Sequence, residues 1–178
     1  MKLSSWRSLI PGLRIPKFPA LGLGQYWVAA LATGFGSGFL RPFSASWGSI
    51  VGFAYGMAWR EIPEMWLQWA VALAVLAVSV PIAGACSRWL GDPDPKCVVI
   101  DEIACVPLAI WPATGHALSW PQWLLVFVCY RLADLAKPFP ARRLEHLHGG
   151  WGIVLDDVVS AAYMGAVWYL GLRFFSRG

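Results

Sequence analysis

Apolar residues run in long uncharged stretches along this chain, broken by short polar or Pro- and Gly-containing segments. The longest unbroken apolar stretch, 65–87, holds 23 residues without a charge, enough for a helix to cross a hydrocarbon core of about 30 Å. A span is therefore predicted over 65–89. Shorter uncharged runs of 18 and 15 residues occupy 42–59 and 158–172, and the stretch 103–130 is split by Pro112 and Pro121. These patterns predict helices over 47–59, 121–136 and 152–175, and a short apolar segment over 98–111. GDPDPK (91–96) is a turn by composition, and Lys137-Pro138-Phe139-Pro140 ends a helix. Residues 141–151 read as a basic loop holding His and Gly. Residues 25–40 are apolar but contain Gly34, Gly36, Ser37 and Gly38, which suits a helix running into a bent loop. Such irregular backbone persists at membrane depth only when buried in protein or lining a wet cavity.

Composition turns this pattern into a fold class. The 178 residues are 58% hydrophobic and only 13% charged, whereas soluble domains carry about 25% charged residues. The expectation is an all-α integral membrane bundle of about four to five membrane-embedded helices with one Gly/Ser-rich re-entrant or broken segment. Residues 1–24, with Lys2, Arg7, Arg14, Lys17 and several prolines, form a lead segment lying on the membrane surface. Residues 25–178 form a single helical membrane-embedded domain. Prolines interrupt the lead before any apolar core forms, so it does not read as a signal peptide. Of the 12 tryptophans, Trp59, Trp66, Trp69, Trp89, Trp111, Trp120 and Trp123 lie near the ends of apolar runs, as interfacial anchors or bundle packing. The net charge of +4 comes with no basic stripe or reading motif, which argues against a nucleic-acid partner. Cys86, Cys97, Cys105 and Cys129 lack CxxC or zinc spacing and read as reduced, structural thiols.

Charge then orients the bundle. With the basic N-terminus inside, Arg88, Lys96, Lys137, Arg142 and Arg143 fall in inner loops, and Arg60 alone falls outside before the C-terminal tail. The same topology places Asp101, Glu102, Asp134, Asp156 and Asp157 at the cytoplasmic helix ends. Glu61, Glu64, Asp92, Asp94 and Glu145 lie in predicted loops and read as solvated. The doublets Asp101-Glu102 and Asp156-Asp157 are different, because apolar sequence flanks both sides (VVIDEIACV and GIVLDDVVSA). Carboxylates so placed are costly, about 2.5 to 3.5 kcal/mol each at mid-helix on insertion scales. They need a divalent cation, a basic side chain or a retained proton. A magnesium ion is the preferred neutraliser, since it takes oxygen ligands and commonly bridges carboxylates to a substrate phosphate.

Arg131, Asp134 and Lys137 follow at i, i+3 and i+6 on roughly one helix face. They read either as an internal ladder or as Asp134 joining the metal while Arg131 and Lys137 bind phosphate oxygens. Spacing favours neither. The Gly/Ser-rich stretches 34–38 and 44–49, just before a helix, offer backbone amides for an anion, though glycines equally serve close helix packing. His146 and His148 read as loop residues with a base or ligand role as the alternative.

Taken together, ATGFGSG (32–38), WGS (47–49), IDE (100–102), R-x-x-D-x-x-K-P-x-P (131–140) and HGGWGIVLDD (148–157) resemble the phosphatidylglycerophosphatase A family of bacterial lipid phosphatases. The resemblance implies a magnesium-dependent enzyme of phospholipid biosynthesis that converts phosphatidylglycerophosphate to phosphatidylglycerol. It implies a multi-pass protein of the bacterial inner membrane with its site facing the cytoplasm. It also implies that Asp101, Glu102, Asp134, Asp156 and Asp157 form the catalytic and metal-binding set. Arg131, Lys137, Ser37 and Ser49, with Gly36 and Gly38, then contact the substrate. Three places depart from the family pattern: Ser44-Ala45-Ser46-Trp47, Ala104-Cys105 and Ser160-Ala161 replace glycine-containing stretches, which spares the charged groups but thickens the nearby backbone. The rival readings are a transporter or ion-conducting protein using intramembrane carboxylates, a phosphatase of another lipid phosphate, and a small structural membrane subunit. A transport path predicts polar groups continuing to the far side, whereas 158–172 has no charge.

Overall fold

The computed structural model describes residues 15–114, 116, 118–137 and 139–175. Lys2, Arg7, Arg14 and Pro138, which enter the expectations above, lie outside the described residues. Among the described residues seven helices follow in order: α1 Leu23–Ala32, α2 Ser44–Arg60, α3 Met65–Leu90, α4 Ile100–Ile110, α5 Trp120–Ala136, α6 Ala141–Leu144 and α7 Gly150–Phe175. Two of them, α3 and α7, are long and apolar enough to cross a membrane. Single 3-10 turns at Ser37–Phe39 and Trp111–Ala113 extend the bent loop and α4. The helix expected over 47–59 begins at Ser44, because the polar residues before Trp47 form its first turn. The loop expected over 141–151 contains the single turn α6 and ends where α7 begins at Gly150.

Successive long helices run up and down, so their connections gather at two ends. Glu61, Ile62 and Pro63 meet Trp111 and Thr114 at one end. Pro93, Asp94 and Lys96 meet the 145–149 loop at the other. Aromatic rings tie the first end together: Trp59 to Trp69 at 6.1 Å, Trp69 to Trp111 at 6.1 Å, and Trp111 stacked on Tyr169 at 5.6 Å. Buried Trp59 also donates Nε1–H to the Gln68 carbonyl at 2.6 Å. The tryptophans therefore divide by role. Trp59 and Trp69 pack in the bundle, Trp111 stacks on Tyr169 at its edge, and Trp66 and Trp120 project outward. All four cysteines are free thiols.

The short helix α4 is the buried centre, and α2, α3 and α7 all pack on it. Its approach to α2 depends on a glycine stripe. Gly48, Gly52 and Gly56 recur every four residues and so share one helix face. A Cβ at Gly52 would sit 2.9 Å from the Ile103 Cα and 3.0 Å from the Glu102 carbonyl oxygen. At Gly48 it would lie 2.5 Å from the Val99 Cβ, and at Gly56 it would lie 2.7 Å from Val106. Small residues of this kind let helix backbones close on each other where dispersion contacts and hydrogen bonds, rather than water exclusion, drive association. The bent loop seats α4 from the other side, where the Val99 N–H donates to the Ala32 carbonyl at 2.8 Å.

Overpacking at this contact is expected to cost about 1–3 kcal/mol. Gly52→Val should therefore lower the thermal unfolding midpoint in detergent. Gly24→Ala on α1, where an added Cβ meets nothing within 4 Å, should leave the midpoint unchanged or raise it. Equal effects of the two changes would contradict a tight α2–α4 contact.

Candidate carboxylate site

The ends of α4, α5 and α7 converge on a cavity of about 930 Å³ whose wall includes Asp101, Glu102, Asp134, Asp156 and Asp157. Local structure explains how each arrives. Asp101 and Glu102 occupy the first turn of α4, where the helix dipole favours negative charge. Asp156 and Asp157 stand two turns into α7, and Asp134 lies in the last turn of α5. All five are buried, none more than 8% exposed.

Two basic residues satisfy part of this charge. Arg131 places Nη1 2.5 Å from Asp134 Oδ2 and donates to the Ser49 hydroxyl at 3.2 Å. Ser49 in turn donates to the Ala45 carbonyl at 2.9 Å, which fixes the hydroxyl on α2. Lys137 lies 2.7 Å from Asp156 Oδ2 and 3.3 Å from Glu145 Oε1. It ends α5 with φ of 41°, in the left-handed region. That region is strained for a residue with a side chain, and here it turns the chain sharply at the helix end. Burial alone would depress the Lys137 ammonium pKa. The hydrogen bond and charge of Asp156, joined by Glu145, outweigh burial and hold it above the ordinary lysine value.

Asp101, Glu102 and Asp157 have no ion pair among the described residues. Each offers a carboxylate oxygen, and these oxygens lie within 4.8 Å of one another. Asp101 Oδ1, Glu102 Oε2, Asp156 Oδ1 and Asp157 Oδ2 are buried without a hydrogen-bond partner. Buried polar atoms are nearly always paired, so four such orphans in one cluster are unusual. An all-oxygen, anionic donor set with uncompensated charge fits a hard divalent cation such as magnesium.

The remaining expected site residues fall in different places. Arg131, Asp134 and Lys137 join the two doublets at the cavity. Ser49 reaches the site through Arg131. Ser37, Gly36 and Gly38 do not line the cavity. Ser37 donates to the Thr33 carbonyl at 3.4 Å. Gly36 takes φ of 93°, and Gly38 makes room for the 97–99 backbone, with a Cβ there falling 3.2 Å from Val99 Cγ1. Gly38 thus serves close packing against the segment leading into α4, while Gly36 supplies the left-handed turn. His146 and His148 are exposed at the cavity mouth. Glu145 is half-solvated as expected, but it also braces Lys137. That pairing joins residues eight apart across a turn, and no helical spacing signals it. The departures from the family pattern are accommodated locally. Cys105 is fully buried, and the Ser160 hydroxyl donates to the Asp156 carbonyl at 3.0 Å. Ser44, Ala45 and Ser46 line the cavity on α2.

Comparison with known proteins agrees with the arrangement of these motifs. The family model of phosphatidylglycerophosphatase A matches residues 30–172. A phosphatidylglycerophosphatase A of Haemophilus influenzae is 33% identical over 135 residues, covering 75% of this chain and 81% of its own length. One from Escherichia coli is 29% identical over 153 residues, covering 80% and 86% respectively. A Bacteroides thetaiotaomicron protein described as a candidate phosphatidylinositol-3-phosphatase is 28% identical over 138 residues, covering 75% and 86%. No solved structure matches the chain. The matched region contains the whole carboxylate cavity, and the chain belongs to the phosphatidylglycerophosphatase A family.

Proposed function

We propose that this protein is a magnesium-dependent lipid phosphatase that hydrolyses the terminal phosphate monoester of phosphatidylglycerophosphate to phosphatidylglycerol in phospholipid biosynthesis. The observation that carries this reading is the trio Asp101, Glu102 and Asp157, three mutually close buried carboxylates with no ion pair among the described residues. They sit beside a guanidinium and an ammonium in a chain of this family. The proposed setting is a multi-pass helical bundle in a bacterial inner membrane, with the cavity facing the cytoplasm. Basic residues in the loops at the cavity end support that orientation.

In the proposed reaction, Asp101, Glu102 and Asp157 would hold the magnesium ion, with Asp134 and Asp156 beside them. The ion would supply charge neutralisation and polarise the phosphoryl oxygens. Arg131 presents a planar fork suited to two phosphate oxygens, kept in place by Ser49 and Asp134. Lys137 adds a point charge at the same cavity, held by Asp156 and Glu145. Both cations stand where negative charge grows on the phosphoryl oxygens as the transition state forms. A water oxygen bonds to phosphorus as Glu102 takes the water proton. The ester P–O bond then breaks and Glu102 returns that proton to the leaving alkoxide, so inorganic phosphate and the alcohol are released. Transport is the weaker reading, because the acidic residues of α7 are confined to its first half and 158–172 carries no charge.

Purified protein in detergent is expected to release phosphate from phosphatidylglycerophosphate with magnesium and to stop in excess chelator. Asp101→Asn and Asp157→Asn should each lower kcat/KM by about a hundredfold or more. Full activity in chelator, or in both variants, would refute the metal–carboxylate chemistry. A readout independent of turnover is the unfolding midpoint. Millimolar magnesium should raise it in the native protein by mass action, and should not do so in the Asp101→Asn, Asp157→Asn double variant. Arg131→Lys keeps the charge but loses the fork, and kcat/KM is expected to fall about tenfold with phosphate release still measurable.

A further inference from the structure

We infer that the cleft between α2 and α5 is a lateral portal, through which the acyl chains of a diacyl phosphomonoester leave the cavity for the bilayer; this rests on the lipid phosphatase reading above. The cavity wall has two exposed borders of opposite character. One is rimmed by the exposed polar residues Asp94, Lys96, His146 and His148. The other lies between helices, where Phe43 and Ser46 on the α2 side and Leu135 on the α5 side share the cavity wall. Phe43 is 67% exposed and Leu135 is 71% exposed, so this wall reaches the outer surface.

Contacts between the two helices fix the extent of the cleft. It is closed by the Arg131–Ser49 hydrogen bond and, one turn deeper, by Phe53 against Phe127, edge to face at 5.1 Å. Towards the cavity, beyond Ser49 and Arg131, Ser46 and Leu135 both line the cavity wall. Helical spacing then identifies what borders the opening. Ile50 on α2, and Phe43 just before its first turn, stand seven residues apart beside the face that carries Ser49 and Phe53 to α5. On α5, Val128 and Leu135 stand at the same spacing beside the face that carries Phe127 and Arg131 to α2. All four are exposed apolar side chains. The cleft thus has a cationic floor at Arg131 and two apolar lips.

That polarity fits a ligand with a phosphate at one end and hydrocarbon at the other. The phosphate meets Arg131 inside, the chains cross between Ser46 and Leu135, and the lips continue along both helices into lipid. Water and released phosphate use the polar mouth. The curated relatives are named for different headgroups, glycerophosphate and inositol phosphate, but both names denote phosphatidyl lipids. A subsite for the shared diacyl part is consistent with that range. A second apolar groove, between α1 and α3 and lined by Val28, Pro81, Ile82 and Trp89, shares no wall residue with the carboxylate cavity. It gives a built-in negative control.

The test compares phosphatidylglycerophosphate carrying two oleoyl chains with the same headgroup carrying two hexanoyl chains, in detergent with magnesium. Ser46→Trp and Leu135→Trp narrow the gap, and Leu73→Trp alters an exposed residue of α3. For the two portal variants the ratio of kcat/KM, long chain over short, is expected to fall about tenfold, with no change for Leu73→Trp. An unchanged ratio in both portal variants overturns the portal. A dioleoyl analogue with a diazirine in one acyl chain gives a reading on native protein even if a variant does not fold. Label on α2 and α5 peptides supports the portal, and label confined to α1 and α3 overturns it while leaving the phosphatase reading intact. Failure of the native protein to release phosphate from either lipid overturns the phosphatase reading itself, and the portal with it.

Discussion

Carboxylates gathered at the end of an apolar bundle repel one another, and two cationic side chains reach only part of their charge. The rest of the molecule is organised around holding that unfavourable arrangement. Asp101 and Glu102 ride on α4, the most buried helix, which cannot move without disturbing its contacts to α2, α3 and α7. Gly48, Gly52 and Gly56 let α2 press against the turn that carries them. Buried like charges of this kind are tolerated when surrounding packing over-determines their positions and a counter-ion completes the site. Arg131 and Lys137 both come from the end of α5, each anchored by a second partner, Ser49 or Glu145.

Much of this was legible in the sequence, for physical reasons. Long uncharged runs admit few conformations besides helix, so α3 and α7 follow from length and apolarity alone. Doublets of acid in apolar surroundings are expensive enough that their presence marks a site before any geometry is known. The alternation of loops between two ends was equally readable from charge.

What escaped was set by tertiary approach. The small-residue spacing of Gly48, Gly52 and Gly56 stands in the sequence, but which helix would use it depends on the arrangement of the bundle. Ser37, Gly36 and Gly38 look like an anion loop because glycine serves phosphate cradles and close packing equally. The packing role of Gly38 becomes visible only from the 97–99 segment that lies against it. Glu145 reads as a solvated loop acid, and nothing local reveals its pairing with Lys137, since the turn between them decides whether they meet.

The position of Asp157 along α7 has a consequence for which bond is attacked. It lies seven residues from Gly150, so at about 1.5 Å per residue it is recessed roughly 10 Å along the helix axis. A phosphoryl group must travel down that depth on something slender. A terminal phosphate on a glycerol arm can do so, because one ester oxygen trails behind it and three faces are bare. A phosphate flanked by organic groups on both sides presents no such leading end. On the proposed reading, the recess gives regiochemistry by reach: the outer monoester enters while the inner diester, fixed near the chains, stays outside and is spared.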